Sequence, residues 1–117
     1  MKRILIVDDA MFIRYSLKIL LEKNGFEVCG MAGNGQDGFE KYKELRPDIV
    51  TMNIVMPKVN GIEALKMIRE FDPSAKVVMI SASAREEIVR IAFMYGAKNF
   101  IAKPFEDQKV IQVLSEL

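Results

Sequence analysis

Five short β-branched runs alternate with five amphipathic stretches along this chain, and that alternation limits its folds more than any single motif does. The runs are Arg3–Val7, Glu27–Met31, Asp48–Met52, Lys76–Ser81 and Asn99–Ala102. Three of them contain ILIV, IV and VVMI, apolar without alternation, the pattern of strands covered on both faces. Between the runs the period changes. Ile88, Ile91, Ala92 and Tyr95 stand at helical spacing, Val110, Val113, Leu114 and Leu117 repeat it, and Ile13, Leu17, Leu20 and Leu21 nearly do. Each stripe predicts a helix face for a sheet to cover. Asn24-Gly25 ends the first predicted helix, Asn34-Gly35 opens the second, and Asn60-Gly61 and Asp72-Pro73 bracket the third. Tyr95-Gly96 closes the fourth. Strict strand–helix alternation requires right-handed crossovers and a parallel sheet, so the fold class is a three-layer doubly wound (βα)₅ domain.

The 117 residues fit one domain, 1–117, with half the residues hydrophobic, enough for a core without staples. Seventeen basic and 16 acidic side chains leave a formal charge of +1 and no basic run, which argues against nucleic acid as the main partner. No apolar run approaches the ~20 residues of a membrane span, and Met1–Val7 leads directly into acids rather than a cleavage site. One cysteine, Cys29, makes no internal bridge and reads as a buried small hydrophobe in a reducing cytoplasm. The absence of histidine and the single cysteine argue against a zinc site.

In doubly wound sheets, ligands bind beyond the carboxyl ends of the strands, where strand order reverses. Asp8 and Asp9 follow the first run, Asn53 follows the third, Ser81 ends the fourth, and Lys103-Pro104 follows the fifth. One rim thus gathers two carboxylates, an amide, a hydroxyl and an ammonium. Adjacent carboxylates repel each other unless a cation is near, and such a set suits Mg²⁺. A lysine and a hydroxyl suit phosphoryl oxygens. A nucleophile is missing from the centre, because Asn53 carries no charge where a carboxylate could form an acyl phosphate.

With ILIVDD, PDIVTMN, IVMP, VNG, MISA and GAKNFIAKPF in this order, the chain resembles the receiver domain of two-component response regulators, most closely the single-domain, CheY-like chemotaxis type. The resemblance spans essentially the whole chain. It implies strand order 2-1-3-4-5, a Mg²⁺ held by Asp9 directly and by Asp8 partly through water, and a metal site completed by the Val55 carbonyl. It puts Asn53 where the family has its phosphoacceptor aspartate. Ser81 matches the hydroxyl that bonds the phosphoryl group and shifts on activation. Lys103 matches the lysine paired with phosphoryl oxygens, and it precedes Pro104 through a bond usually cis in the family. Phe100 occupies the place of the aromatic that turns inward. Here it reads equally well as switch or as core.

The implied partners are a sensor histidine kinase and a target, a flagellar switch or chemotaxis phosphatase, on the face of the fourth helix, fifth strand and fifth helix. Residues such as Ile88, Met94 and Tyr95 would meet the target there. A monomer is the expected state. The chain is expected to act as a signalling module rather than an enzyme. Asn53 has two explanations: a deliberate substitution that blocks phosphorylation and weakens Mg²⁺ binding, or a natural receiver that signals as an interaction domain without phosphorylation. Retention of every other pocket residue favours the first. An aspartate-nucleophile phosphatase needs Asp-x-Asp and a cap, and an FMN carrier would set its phosphate against Asp8 and Asp9.

Overall fold

A computed structural model describes all residues, Met1–Leu117. Strands β1 (Arg3–Val7), β2 (Glu27–Ala32), β3 (Ile49–Met52), β4 (Val77–Ser81) and β5 (Asn99–Ala102) alternate with helices α1 (Met11–Lys23), α2 (Gly35–Leu45), α3 (Gly61–Phe71), α4 (Glu86–Met94) and α5 (Asp107–Ser115). The strands form one parallel sheet in the order β2-β1-β3-β4-β5, as the family resemblance implies. Strand limits differ from the sequence reading by one residue in three places. Asp48 stays outside β3 because its carboxylate accepts the Arg3 N–H at 2.7 Å. Lys76 is exposed just before β4, and Ala32 extends β2.

The continuous apolar runs are explained by two cores, one on each side of the sheet. Leu5, Val7, Val50, Met52, Val77 and Met79 point towards α2, α3 and α4, where Tyr42, Leu65, Ile68 and Ala92 meet them. The alternate residues Ile4, Ile6, Ile49, Val78 and Ile80 face α1 and α5, against Leu17, Leu21, Val110, Val113 and Leu114. Successive strand residues point to opposite faces, so only the inner strands β1, β3 and β4 need both to be apolar. Each fully buried Leu or Ile contributes roughly 1.5–3 kcal/mol.

Helix ends fall where the punctuation predicts. Asn34 Oδ1 accepts the Asp37 N–H at 2.9 Å, and Asn60 Oδ1 accepts those of Ile62 and Glu63 at 2.9 and 3.0 Å. Gly25, just past α1, has φ +89°, a conformation costly for any residue with a Cβ.

Two expectations are corrected. Cys29 is half-buried rather than buried, because β2 is an edge strand with one flank unpaired and an incompletely covered face. Its Sγ lies 3.5 Å from the Ile4 carbonyl oxygen, and desolvation raises its thiol pKa. The α4 stripe is covered only in part. Ala92 is buried and Ile88 half-buried, while Ile91 and Tyr95 stay exposed, since α4 packs beside the short edge strand β5.

Candidate functional site

The sheet order sets the location. The chain passes from β1 to β2 on one side and then returns to β3 on the other, so a crevice opens between β1 and β3 at their carboxyl ends. The register pairs Val7 with Met52, which sets the following residues, Asp8 and Asn53, side by side. The Asn53 N–H donates to the Val7 carbonyl at 2.9 Å, and the Asp8 N–H to Ala32 at 3.0 Å. On the other flank Ser81 pairs with Ala102, and the Lys103 N–H reaches the Ser81 carbonyl at 2.9 Å. The Lys103–Pro104 peptide is cis. Gly61 opens α3 against the backbone of Asn53 and Ile54, where a Cβ would collide with the Asn53 carbonyl. Its N–H donates to the Ile54 carbonyl at 2.7 Å, which pins the loop carrying Val55.

Five of the sequence-derived residues form one hydrogen-bonded network. Lys103 Nζ pairs with Asp8 Oδ2 at 2.8 Å and lies 3.4 Å from Asn53 Oδ1. Asn53 Nδ2 donates to Asp9 Oδ1 and to the Val55 carbonyl, both at 3.1 Å. Asp8 is 2% exposed and Asn53 8%, whereas Asp9 is open to solvent. Ser81 lies one strand over, 1% exposed, and its hydroxyl accepts the Ser83 N–H at 3.2 Å rather than bonding Asn53 or Lys103. Phe100 is half-buried and packs against the core cluster that contains Met79 and Ala97.

The sequence reading missed two features. Arg14 Nη1 donates to the Asp8 carbonyl at 2.7 Å, so α1 clamps the acidic turn, while Asp8 Oδ1 takes the Ala10 N–H at 2.9 Å. A cation six residues beyond Asp8, on a helix starting at the rim, was the available signal. The second is an exposed apolar stripe on α1, with Phe12 78% and Ile19 67% exposed and Met11 and Tyr15 beside them. Those apolar residues fall off the buried stripe, which was the sign to look for.

The fold and this network define a doubly wound α/β domain whose rim gathers two carboxylates, a lysine and a central amide. The sequence profile of the response regulator receiver domain matches residues 4–115. The chain belongs to the response regulator receiver family, and within it to the CheY-like chemotaxis type. It is 51% identical over 116 residues to the chemotaxis protein CheY of Thermotoga maritima, covering 99% of this chain and 97% of that protein. Identity to CheY of Bacillus subtilis is 49% over 114 residues, covering 97% and 95%. Among solved structures, CheY in the CheX–CheY–BeF₃–Mg²⁺ complex from Borrelia burgdorferi superposes with TM-score 0.96 at 40% identity, covering 98% of this chain and 87% of that one.

Receivers of this type are Mg²⁺-dependent. Asp9 and the Val55 carbonyl offer oxygen to such an ion, but the edge of Asn53 turned towards them carries two N–H donors instead of lone pairs. Mg²⁺ takes oxygen ligands in a near-ideal octahedron, so the donor set as arranged does not fit it.

Proposed function

We propose that this chain, residues 1–117 as one unit, is a CheY-like two-component receiver in which phosphoryl transfer to position 53 is blocked and Mg²⁺ binding is weakened. The observation that carries this reading is Asn53 itself. It sits at the centre of the rim, nearly buried, between an acidic pair and a lysine. Attack on a phosphoryl group needs a carboxylate oxygen, and a neutral carboxamide oxygen is a poor nucleophile. Lys103 would neutralise charge on a transferred phosphoryl group, Ser81 would donate a bond to it by shifting, and Phe100 would follow as a two-state element. With no such group formed, the domain stays in one state.

The proposed donor is a sensor histidine kinase. The proposed target meets the surface of α4, β5 and α5, where Ile91, Met94 and Tyr95 are exposed, and a flagellar switch or chemotaxis phosphatase is the preferred kind. The protein would act as a cytoplasmic monomer. A second reading, an interaction domain independent of phosphorylation, is favoured by the self-satisfied hydrogen bonding of Asn53.

Intact mass after incubation with acetyl phosphate and Mg²⁺ separates the two. Under the first reading the chain gains nothing, while Asn53→Asp gains one phosphoryl mass and loses it on hydrolysis. If neither gains it, the pocket is not a phosphoacceptor site and the interaction-domain reading takes first place.

A further inference from the structure

We propose that Lys103 acts as a positioning residue that orients the Asn53 amide and thereby closes this pocket to divalent cations. The inference rests on the receiver reading above and adds the reason for the pocket's metal preference. A carboxamide presents two donors on one edge and lone pairs on the other. In the observed orientation both N–H groups meet acceptors at 3.1 Å, and Oδ1 faces the Lys103 ammonium at 3.4 Å. Turned over, the amide would aim Nδ2 at an ammonium that has no lone pair, and Oδ1 at the Asp9 carboxylate and the Val55 carbonyl. Every contact would become a mismatch, and around Asn53 and Asp8, 8% and 2% exposed, there is little water to repair it.

A cation seated on Asp9 and Val55 would meet the two N–H donors of Asn53, and would gain a lone pair from residue 53 only with the amide reversed. Lys103 blocks that reversal. The ammonium is itself anchored by Asp8 at 2.8 Å, and moving it away would leave a 2%-exposed carboxylate unpaired. Asp8, Lys103, Asn53 and the Asp9–Val55 pair therefore form one chain of fixed polarity. In it the amide N–H₂ takes the place that a cation would fill.

The test is a four-protein NMR titration with MgCl₂ at constant ionic strength: the chain as it stands, Lys103→Met, Asn53→Asp, and the double variant. In the Asn53→Asp background the ammonium acts on a cation through its charge alone. With Asn53 in place it acts through charge and amide orientation together. Lys103→Met is therefore expected to tighten Mg²⁺ binding about tenfold with Asn53 present, and by a factor at least roughly threefold smaller in the Asn53→Asp background. Equal factors in the two backgrounds would overturn the proposal, as would Mg²⁺ binding by the unaltered chain as tight as by Asn53→Asp.

Should Lys103→Met not fold, the unaltered chain still decides. Its Asn53 side-chain N–H₂ protons are expected to exchange with solvent far more slowly than those of exposed Gln108, and equal exchange overturns the proposal. No phosphoryl donor enters this titration. A variant Asn53→Asp that accepts phosphoryl while the two factors are equal would thus remove the Lys103 role and leave the receiver reading intact.

Discussion

Restoring a carboxylate at the centre of the rim should make the metal-free protein less stable. In Asn53→Asp the two N–H donors that now bond Asp9 and the Val55 carbonyl at 3.1 Å become a lone-pair-bearing oxygen facing two acceptors. The new charge lies near Asp9 at about the 3.1 Å of the present contact and near Lys103 at about the present 3.4 Å. At an effective dielectric of ~20, repulsion and attraction over such distances are each about 5 kcal/mol and nearly cancel. What remains is the loss of one hydrogen bond to a carboxylate and one to a neutral carbonyl, together ~2–4 kcal/mol. Urea unfolding in EDTA should therefore show Asn53→Asp destabilised by ~2–4 kcal/mol with an unchanged m-value, and its Tm should fall by roughly 10 °C or more. Added MgCl₂ should narrow the gap by stabilising the variant more than the parent chain. Equal or greater stability of Asn53→Asp in EDTA would refute the reasoning, because it would mean the amide bonds contribute nothing in the folded state.

Three further outcomes are expected. Thr51, 1% exposed in the middle of β3, has a hydroxyl without a partner, so Thr51→Val should stabilise the fold by ~1 kcal/mol in urea melts. A Gly61→Ala variant should lose ~2 kcal/mol or more and weaken the Asn53 network, because the added methyl collides with the Asn53 carbonyl, and thermal melts would register it. The Tyr42 hydroxyl donates to Asp72 Oδ2 at 2.7 Å, which lowers the Asp72 pKa, while desolvation, first, and this bond raise that of Tyr42. The Asp72 contribution is present above the unfolded pKa of about 3.9 and is lost as pH falls through the depressed folded value. The Tyr42 contribution is present below about pH 10 and is lost as pH rises beyond it. Tyr42→Phe should therefore flatten both limbs of a stability–pH curve, and a curve parallel to that of the parent protein would count against this bond.

The two-sided cores and the gathering of Asp8, Asp9, Asn53 and Lys103 on one rim were legible because burial writes a local period, whereas the strand order came from the family resemblance. A strand covered on both faces must be apolar throughout, as ILIV and VVMI are, and a doubly wound sheet then has one rim where ligands can sit. Asp8, Asp9, Asn53, Ser81 and Lys103 could be named from the strand ends without coordinates, while Val55, and Asn53 as the departure, followed only from the family resemblance. Other properties belong to contacts between distant segments and leave no local period. Lys103 reaches Asp8 across 95 positions, and that pairing fixes which edge of the Asn53 amide faces Asp9. The half-exposure of Cys29 follows from β2 lying at the sheet edge, and the bare apolar faces of α1 and α4 follow from which neighbours they lack. Residue type determined which chemistry the rim could hold. Only the packing of β1, β3 and β5 decided which way each donor points, because hydrogen-bond direction is set by partners brought together in space rather than in sequence.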